Sequence, residues 1–383
     1  MRDRSTSDPS PLPRLDPVNA QLESVVAGSS RPLTHRALSR RLGLRWSATS
    51  IPVALLLLLG VGFGPHGASL LSPSVLEFLD PAMPVALAAL GTLIGLAVGV
   101  RVRGDLRWAA AAGVKAFVTV AAVAIGTVAA VNAASLAVGV PSWTLGLLAG
   151  VCAAASLGVP SGNPPGPDAQ GARVTELEAA IVIAAGGLLL ATLRERSFVD
   201  ALSLAGQACA VALVLATAGW LLLTQASSET EQRVVTLATL MLVGGVSDYL
   251  SLSPVLGGLA TGILWRLAGG PAREWMRRDA QYVLHPLLVT LLLVAGARAE
   301  LSTASLGLAA AYALLRCSGT VAGGLLVRRI ARRFPPGVIG VGLALNTFRA
   351  VGPDMSLLVT VVVIGTIASE LLAGSLDGPG ATE

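Results

Sequence analysis

LGLAAAYALLRCSGTVAGGLL (residues 306–326) is uncharged except for Arg316 at its centre, and it is about as long as a bilayer is thick. Placing an arginine at the middle of a membrane helix costs about 2.5–3.5 kcal/mol even on the lenient insertion scale. A chain keeps such a residue when it faces a polar cavity, pairs with an acid, or attends a substrate. The plainer alternative is an arginine that staples two helices together or snorkels to the surface.

The rest of the chain has the same character. Hydrophobic residues make up 54 %, charged residues 13 %, and mean hydropathy is +0.73. Residues 116–167 carry no charge at all, enough for two spans and their connection. Spans are expected at roughly 50–66, 82–100, 107–136, 141–158, 175–193, 199–224, 234–250, 253–266, 280–297, 303–327, 336–351 and 355–375. The seventh and eighth are divided only by Ser-Leu-Ser-Pro. This organisation predicts a polytopic domain over 49–376, a cytoplasmic tail over 1–48 and a short tail over 377–383.

A net charge of +5 and a pI near 9.7 would suit nucleic acid, but the arginine positions argue for membrane orientation instead. With the N-terminus inside, 21 arginines fall in inside segments, against Arg194, Arg196 and Arg298 outside. That asymmetry places both termini in the cytoplasm of a cell-membrane protein. No nucleic-acid partner follows, and no cofactor. With no His-rich cluster, nucleophile motif or phosphate loop, the chain does not read as an enzyme. Cys152, Cys209 and Cys317 lie in apolar spans without metal-type spacing and read as small buried hydrophobes.

Residues 1–30 are rich in Pro, Ser, Arg and Asp, lack periodicity and are expected to be disordered. RPLTHRALSRRLGLRW (31–46) has Leu38, Leu42 and Trp46 at helical spacing among arginines. It reads as a basic amphipathic helix on the inner leaflet or as a solvated juxtamembrane tail.

Two spans are interrupted. WTLGLLAGVCAAASLGVPSGNPPGP (143–167) ends in Pro, Gly, Ser and Asn. PPGVIGVGLALNTFRAVGPD (335–354) is bounded by Gly and Pro and contains Asn346, Thr347 and Arg349. Irregular backbone at membrane depth is tolerated only where protein or a water-filled cavity satisfies it. A pair of interrupted segments in corresponding positions of two halves points to a transporter's binding site. These fall fourth and eleventh, as an inverted repeat requires. The expected fold is therefore an all-α membrane protein of about 12 spans, with inverted repeats and two crossed discontinuous helices. Ser156, Asn346 and Thr347 are the polar candidates in the interruptions.

Several strings, in this order, resemble the cation/proton antiporter superfamily, the sodium/hydrogen exchangers. GFGPHGASLLSP (62–73) resembles the stretch after an early helix. YLSLSPVLGGLATGILW (249–265) and HPLLVTLLLVAGARAEL (285–301) are similar to two successive family helices. YALLRCSGTVAGGLLVRR (312–329) resembles the family's "R-x-x-G-k-x-x-G" span, with Arg316 at the basic position. The resemblance covers about residues 50–375. It implies exchange of a monovalent cation for protons by alternating access. A core bundle would rock against a scaffold in a homodimer.

One departure bears on mechanism. The resemblance implies an acid at the centre of the fifth span, TELEAAIVIAAGGLLLATL (175–193), and at the matching positions stand Ala184 and Ala185. A carrier needs a carboxylate that holds either a proton or a cation in alternation. Glu176 and Glu178 lie about 9–12 Å along the axis from Ala184 and read as an entrance or as ordinary helix-start acids. Glu370, inside VVVIGTIASELLAGSL (361–376), is the better candidate and reads either as a substitute paired with Arg316 or, as the resemblance implies for an acid near this end of the last helix, as a structural bond. Asp248 and Asp354 read as loop acids, and Lys115 as a residue snorkelling to the cytoplasm. His285, before Pro286, reads as core packing or a helix-start hydrogen bond. Three functions remain open: cation/proton exchange through an altered acid, an exchange-inactive structural or regulatory homologue, or an anion or organic-acid carrier centred on Arg316 and Arg349.

Overall fold

Each of the twelve expected spans contains a helix in the computed structural model, which describes residues 51–98, 105–135, 140–155, 169–195, 197–269, 279, 286–327 and 337–376. The N-terminal tail, the 31–46 segment, Ser156 and His285 lie outside the described residues. In chain order the helices are α1 (Ile51–Phe63), α2 (Pro73–Leu79), α3 (Ala82–Ala97), α4 (Asp105–Ala133), α5 (Ser142–Ala154), α6 (Ala169–Arg194) and α7 (Phe198–Gln225). They continue as α8 (Glu229–Tyr249), α9 (Pro254–Ala268), α10 (Pro286–Ala297), α11 (Thr303–Leu326), α12 (Val338–Val351) and α13 (Ser356–Leu376). The protein is an all-α polytopic membrane protein.

Local chemistry sets the starts. Ser302 and Ser305 form a capping box at α11, and Ser228 and Glu231 form another at α8. Ser253 caps α9 ahead of Pro254, so the Ser-Leu-Ser-Pro string is a true break between α8 and α9. Ser251 turns the chain there with φ 57°. One short helix was not expected: Ser72 caps α2, which meets α3 at a 50° bend.

Helices α4, α6, α7, α11 and α13 are individually long and apolar enough to cross a bilayer, and α2 with α3 makes one bent span. In contrast, α1, α5, α9, α10 and α12 have only 10–17 residues. At 1.5 Å per residue these fall short of a 30 Å hydrocarbon layer, so they owe their depth to their neighbours.

With apolar lipid outside, helices associate by close backbone approach. Gly91 and Gly95 of α3 face Gly258 and Gly262 of α9. A Cβ on Gly258 would sit 2.1 Å from the Ala88 carbonyl oxygen, and one on Gly262 2.1 Å from that of Thr92. Residue numbers rise together along both helices, so the pair is parallel. Gly60 and Gly296 pin α1 to α10 in the same sense. Lys115 and Thr119 of α4 lie against Gly323 and Gly319 of α11, an antiparallel pair. Helix α11 packs on α13 in parallel register, with Tyr312 on Gly365 and Arg316 on Ser369. All four senses agree with alternating spans counted from the sequence. Helices α4–α6 and α11–α13 form one packed group, α3 and α7–α9 interlock as a second, and α1 touches both α10 and α13.

Candidate functional site

The two interrupted segments meet. Helix α5 ends at Ala154 and α12 begins at Val338, and a Cβ on Gly340 would lie 2.2 Å from the carbonyl oxygen of Cys152. Backbone touches backbone at this crossing. From the side, α6 closes on it through Gly186, whose absent Cβ would contact both Val151 and Leu343. A helix that starts inside a bundle leaves its first amides without intrahelical partners. What lies before α12 therefore decides the chemistry of the crossing.

Glu370 lies there. Its carboxylate Oε1 accepts the Gly337 N–H at 3.3 Å, just ahead of the first turn of α12, where the helix dipole favours negative charge. Arg316, 6 % exposed, donates from Nη1 to Ser369 Oγ at 2.8 Å, and Ser369 in turn donates to the Thr366 carbonyl. The Arg316 charge also acts on Glu370. Gly337 is the hub. A Cβ there would fall 2.8 Å and 3.0 Å from the two terminal guanidinium nitrogens and 2.7 Å from the Thr366 methyl.

Arg316 and Glu370 thus both lie against Gly337, Arg316 bonded to Ser369 and Glu370 to the Gly337 amide. Thr366 and Glu370 are four residues apart on α13, as are Tyr312 and Arg316 on α11, so each pair shares a helix face. Three buried oxygens of this cluster, Tyr312 OH, Thr366 Oγ1 and Glu370 Oε2, have no hydrogen-bond partner among the described residues. Unsatisfied polar atoms cost free energy at such depth, so the three make this a polar spot inside an otherwise apolar bundle.

A second charged pair lies in the first repeat. Lys115 Nζ donates to Glu178 Oε2 at 2.6 Å, with side chains only 5 % and 2 % exposed. Lys115 therefore does not snorkel; the acid on α6 holds it inside. The sequence reading also set Glu176 and Glu178 at a helix start. In fact α6 begins at Ala169, six residues earlier than expected, and both acids lie two turns inside it. Lys115 packs on Gly323, two turns along α11 from Arg316, which stacks the two basic centres along one helix interface.

Other expected residues fall differently. Arg349 was a candidate anion attractant, yet its guanidinium is engaged by acids: Nη2 reaches both oxygens of Asp248 at 3.0–3.1 Å, and Nη1 donates to the Asp80 carbonyl at 3.0 Å. Asp248 is accordingly an ion-pair partner in the last turn of α8, not a loop acid, whereas Asp354 is exposed in a 3₁₀ turn. Asn346 Nδ2 donates to Ser253 Oγ at 3.2 Å, tying α12 to the α9 cap, and Thr347 bonds back to the Leu343 carbonyl. Neither joins the Arg316 cluster through a hydrogen bond in the structure. Ala184 and Ala185 are exposed, off the buried stripe of α6 that carries Glu178, Val182, Ile183 and Gly186. The α6 residue shown at the crossing is Gly186.

Sequence reasoning missed Ser369, Thr366, Tyr312 and Gly337. The first two sit at i−1 and i−4 from Glu370, a spacing readable from the sequence once Glu370 is suspected. Gly337 follows two prolines and signals only a break. No cluster of three His, Cys, Asp or Glu side chains fit to hold a metal occurs among the described residues.

No protein-family model and no curated protein matches the chain. Among solved structures, it is similar to the sodium proton antiporter of Methanocaldococcus jannaschii at pH 8. The two share 20 % identity over 94 % of each chain, with a TM-score of 0.60. At that identity the likeness establishes architecture: the chain has the antiporter-type fold over the matched 94 % of its length.

Proposed function

We propose that this protein is an integral membrane transporter that exchanges a monovalent cation for protons by alternating access, with Glu370 as the group that holds one or the other. The observation that carries this reading is the placement of Glu370. It is buried against the start of an interrupted helix, with one carboxylate oxygen held by Gly337, the Ala54 amide of α1 also acting on the carboxylate, and the other oxygen without a hydrogen-bond partner among the described residues. An intramembrane acid is a functional site by default. Thr366 Oγ1 and Tyr312 OH supply neutral oxygens nearby, and hard cations take oxygen ligands. Arg316 balances the carboxylate when no cation is bound, and its positive charge disfavours a divalent ion. The bilayer is the solvent for the exposed apolar faces of α7 and α8, and a homodimer and cytoplasmic termini belong to the same proposal.

The test is a proteoliposome assay with an internal pH dye and external pulses of sodium, lithium or potassium. The unmodified protein is expected to move protons in response to at least one cation, and Glu370→Gln is expected to abolish that response. Proton movement unchanged in Glu370→Gln refutes the assignment. A second reading is favoured by one feature: Arg316, the Gly337 amide and the two hydroxyls are all donors. That set would suit an anion or organic acid, with Glu370 as an internal carboxylate occupying the place. Anion uptake that survives Glu370→Gln and fails in Arg316→Gln would select it. No response under either gradient would favour an exchange-inactive homologue.

A further inference from the structure

Away from the crossing, the second half of α12 meets the other helix group through charges. Arg349 Nη2 bridges both Asp248 oxygens at the end of α8. Its Nη1 reaches the Asp80 carbonyl at 3.0 Å and the Asp80 carboxylate at 3.6 Å, at the bend between α2 and α3. Asp80 is also paired with Arg298, which follows α10, and the Arg298 guanidinium lies 4.9 Å from the ring centre of Phe348 on α12. Two neighbouring contacts continue the line. Arg194, ending α6, donates to the Ser251 carbonyl in the α8–α9 turn, and Asn346 donates to Ser253.

Sorted by helix group, these contacts have a common property. Arg349, Phe348, Asn346 and Arg194 belong to the α4–α6/α11–α13 group. Asp80, Asp248, Ser251 and Ser253 belong to the other, and Arg298, after α10, is tied to it through Asp80. Each contact except Arg298–Asp80 crosses from one group to the other, and that pair anchors Arg298 where it can reach Phe348. Asp80 receives both arginines, so two cations and two anions close a neutral circuit. The side chains of Arg349 and Arg298 are 18 % and 16 % exposed and those of Asp248 and Asp80 are 40 % and 36 %, so the pairs are half-buried on the arginine side and screened by solvent on the acid side. By the arginine distribution of the loops, this end of the bundle faces outward.

We propose that Arg349, Asp248, Asp80 and Arg298 form an ionic seam that holds the two helix groups shut at this face, and that the seam must part whenever the crossing is exposed to that side. Alternating access requires one group to move against the other, and the inference rests on that element of the proposed function alone, not on which ion is carried. Arg349 is the key residue because its planar fork serves two acids on separate helices, which a lysine does not reproduce.

The experiment measures access to Asn346, 4 % exposed and facing Ser253 just beneath the seam. The full-length protein would have Cys152, Cys209 and Cys317 replaced by alanine and carry Asn346→Cys. It would be treated in right-side-out membrane vesicles with a membrane-impermeant maleimide. With the seam intact, labelling is expected to be slow. Arg349→Gln should accelerate it at least about tenfold, the change that 1.4 kcal/mol of lost closure produces. The milder Asp248→Asn, at a more exposed partner, should accelerate it less. Equal labelling in the intact, Arg349→Gln and Asp248→Asn proteins overturns the proposal. If Arg349→Gln fails to fold, Asp248→Asn decides the matter alone. Accelerated labelling in a protein that moves no ion would uphold the seam while rejecting the transport reading.

Discussion

Removing Lys115 alone should cost far more than removing Lys115 and Glu178 together. The two side chains meet at 2.6 Å, almost wholly out of solvent, between α4 and α6. Loss of one partner leaves an uncompensated buried charge, and such losses cost about 3–5 kcal/mol. Replacing both by apolar residues of similar volume is often neutral or stabilising by about 1–4 kcal/mol, because neither charge then needs desolvating. Lys115→Met and Glu178→Gln should therefore each destabilise by about 3 kcal/mol or more, and Lys115→Met with Glu178→Leu by less than either. Packing favours methionine at 115, since its unbranched stem follows the lysine path over Gly323, where a Cβ would lie 3.0 Å from Lys115 Cγ. The assay is a double-mutant cycle on reversible unfolding in mixed micelles, with retained helicity as the check on folding. If Lys115→Met costs under about 1 kcal/mol, or the double variant is no more stable than the singles, the pair is not a buried ion pair and the depth assigned to α6 is wrong.

Further tests address the crossing and the helix ends. Gly340→Ala would put a Cβ 2.2 Å from the Cys152 carbonyl oxygen, so α5 and α12 must separate; a loss of about 1–3 kcal/mol is expected in thermal unfolding, despite alanine's better helix propensity. Gly206→Ala in α7 is the control, because nothing lies within 4 Å of its Cβ; it should stabilise by up to about 1 kcal/mol, and a loss there would undercut the packing argument. At the start of α8, the Ser227 backbone N–H and hydroxyl and the Ser228 N–H hold Glu231 below its ordinary carboxyl range. A lowered carboxyl contributes stability above its unfolded pKa and loses it as pH falls through the folded value. The difference in melting temperature between the unmodified protein and Glu231→Gln should accordingly narrow on acidification, and a constant difference from neutral to acid pH would count against the capping box.

Outside α2, helix existence was legible, because apolar runs bounded by Ser, Pro and Gly leave little choice of structure in a bilayer. The breaks at Ser251–Ser253 and at both interruptions could be read from Pro, Gly and Ser alone. Helix α2 was not, since seven residues are too few to show periodicity. Nor was the early start of α6, where AQGAR gives no apolar signal and moved two acids from a helix end to its interior. Residue roles were legible only where charge sits against composition. Arg316 and Glu370 stood out for that reason, and the structure brings both to one glycine. Lys115 and Glu178 stood out less, because each lies near enough to an expected span end for a surface explanation to suffice. The partners of Arg349 were not legible because its acids come from α8 and from the α2–α3 bend, more than 100 positions away in sequence.

The two repeats, compared helix by helix, place their charges by one rule. A long helix brings a buried base (Lys115 on α4, Arg316 on α11), a short helix ends or begins at the crossing (α5, α12), and a third brings a buried acid (Glu178 on α6, Glu370 on α13). The two sets differ in contact. Lys115 and Glu178 bond directly and satisfy one another, which makes the first pair a clamp. Arg316 and Glu370 are held by Ser369 and the Gly337 amide, and one carboxylate oxygen is left over. A group that must take and release a small ion needs an acceptor not already committed to a neighbour, and of the two acids Glu370 has it. If the Lys115→Met and Glu370→Gln variants were both folded and only the former lost cation-driven proton movement, the assignment would pass to Glu178. The second repeat would then be the clamp.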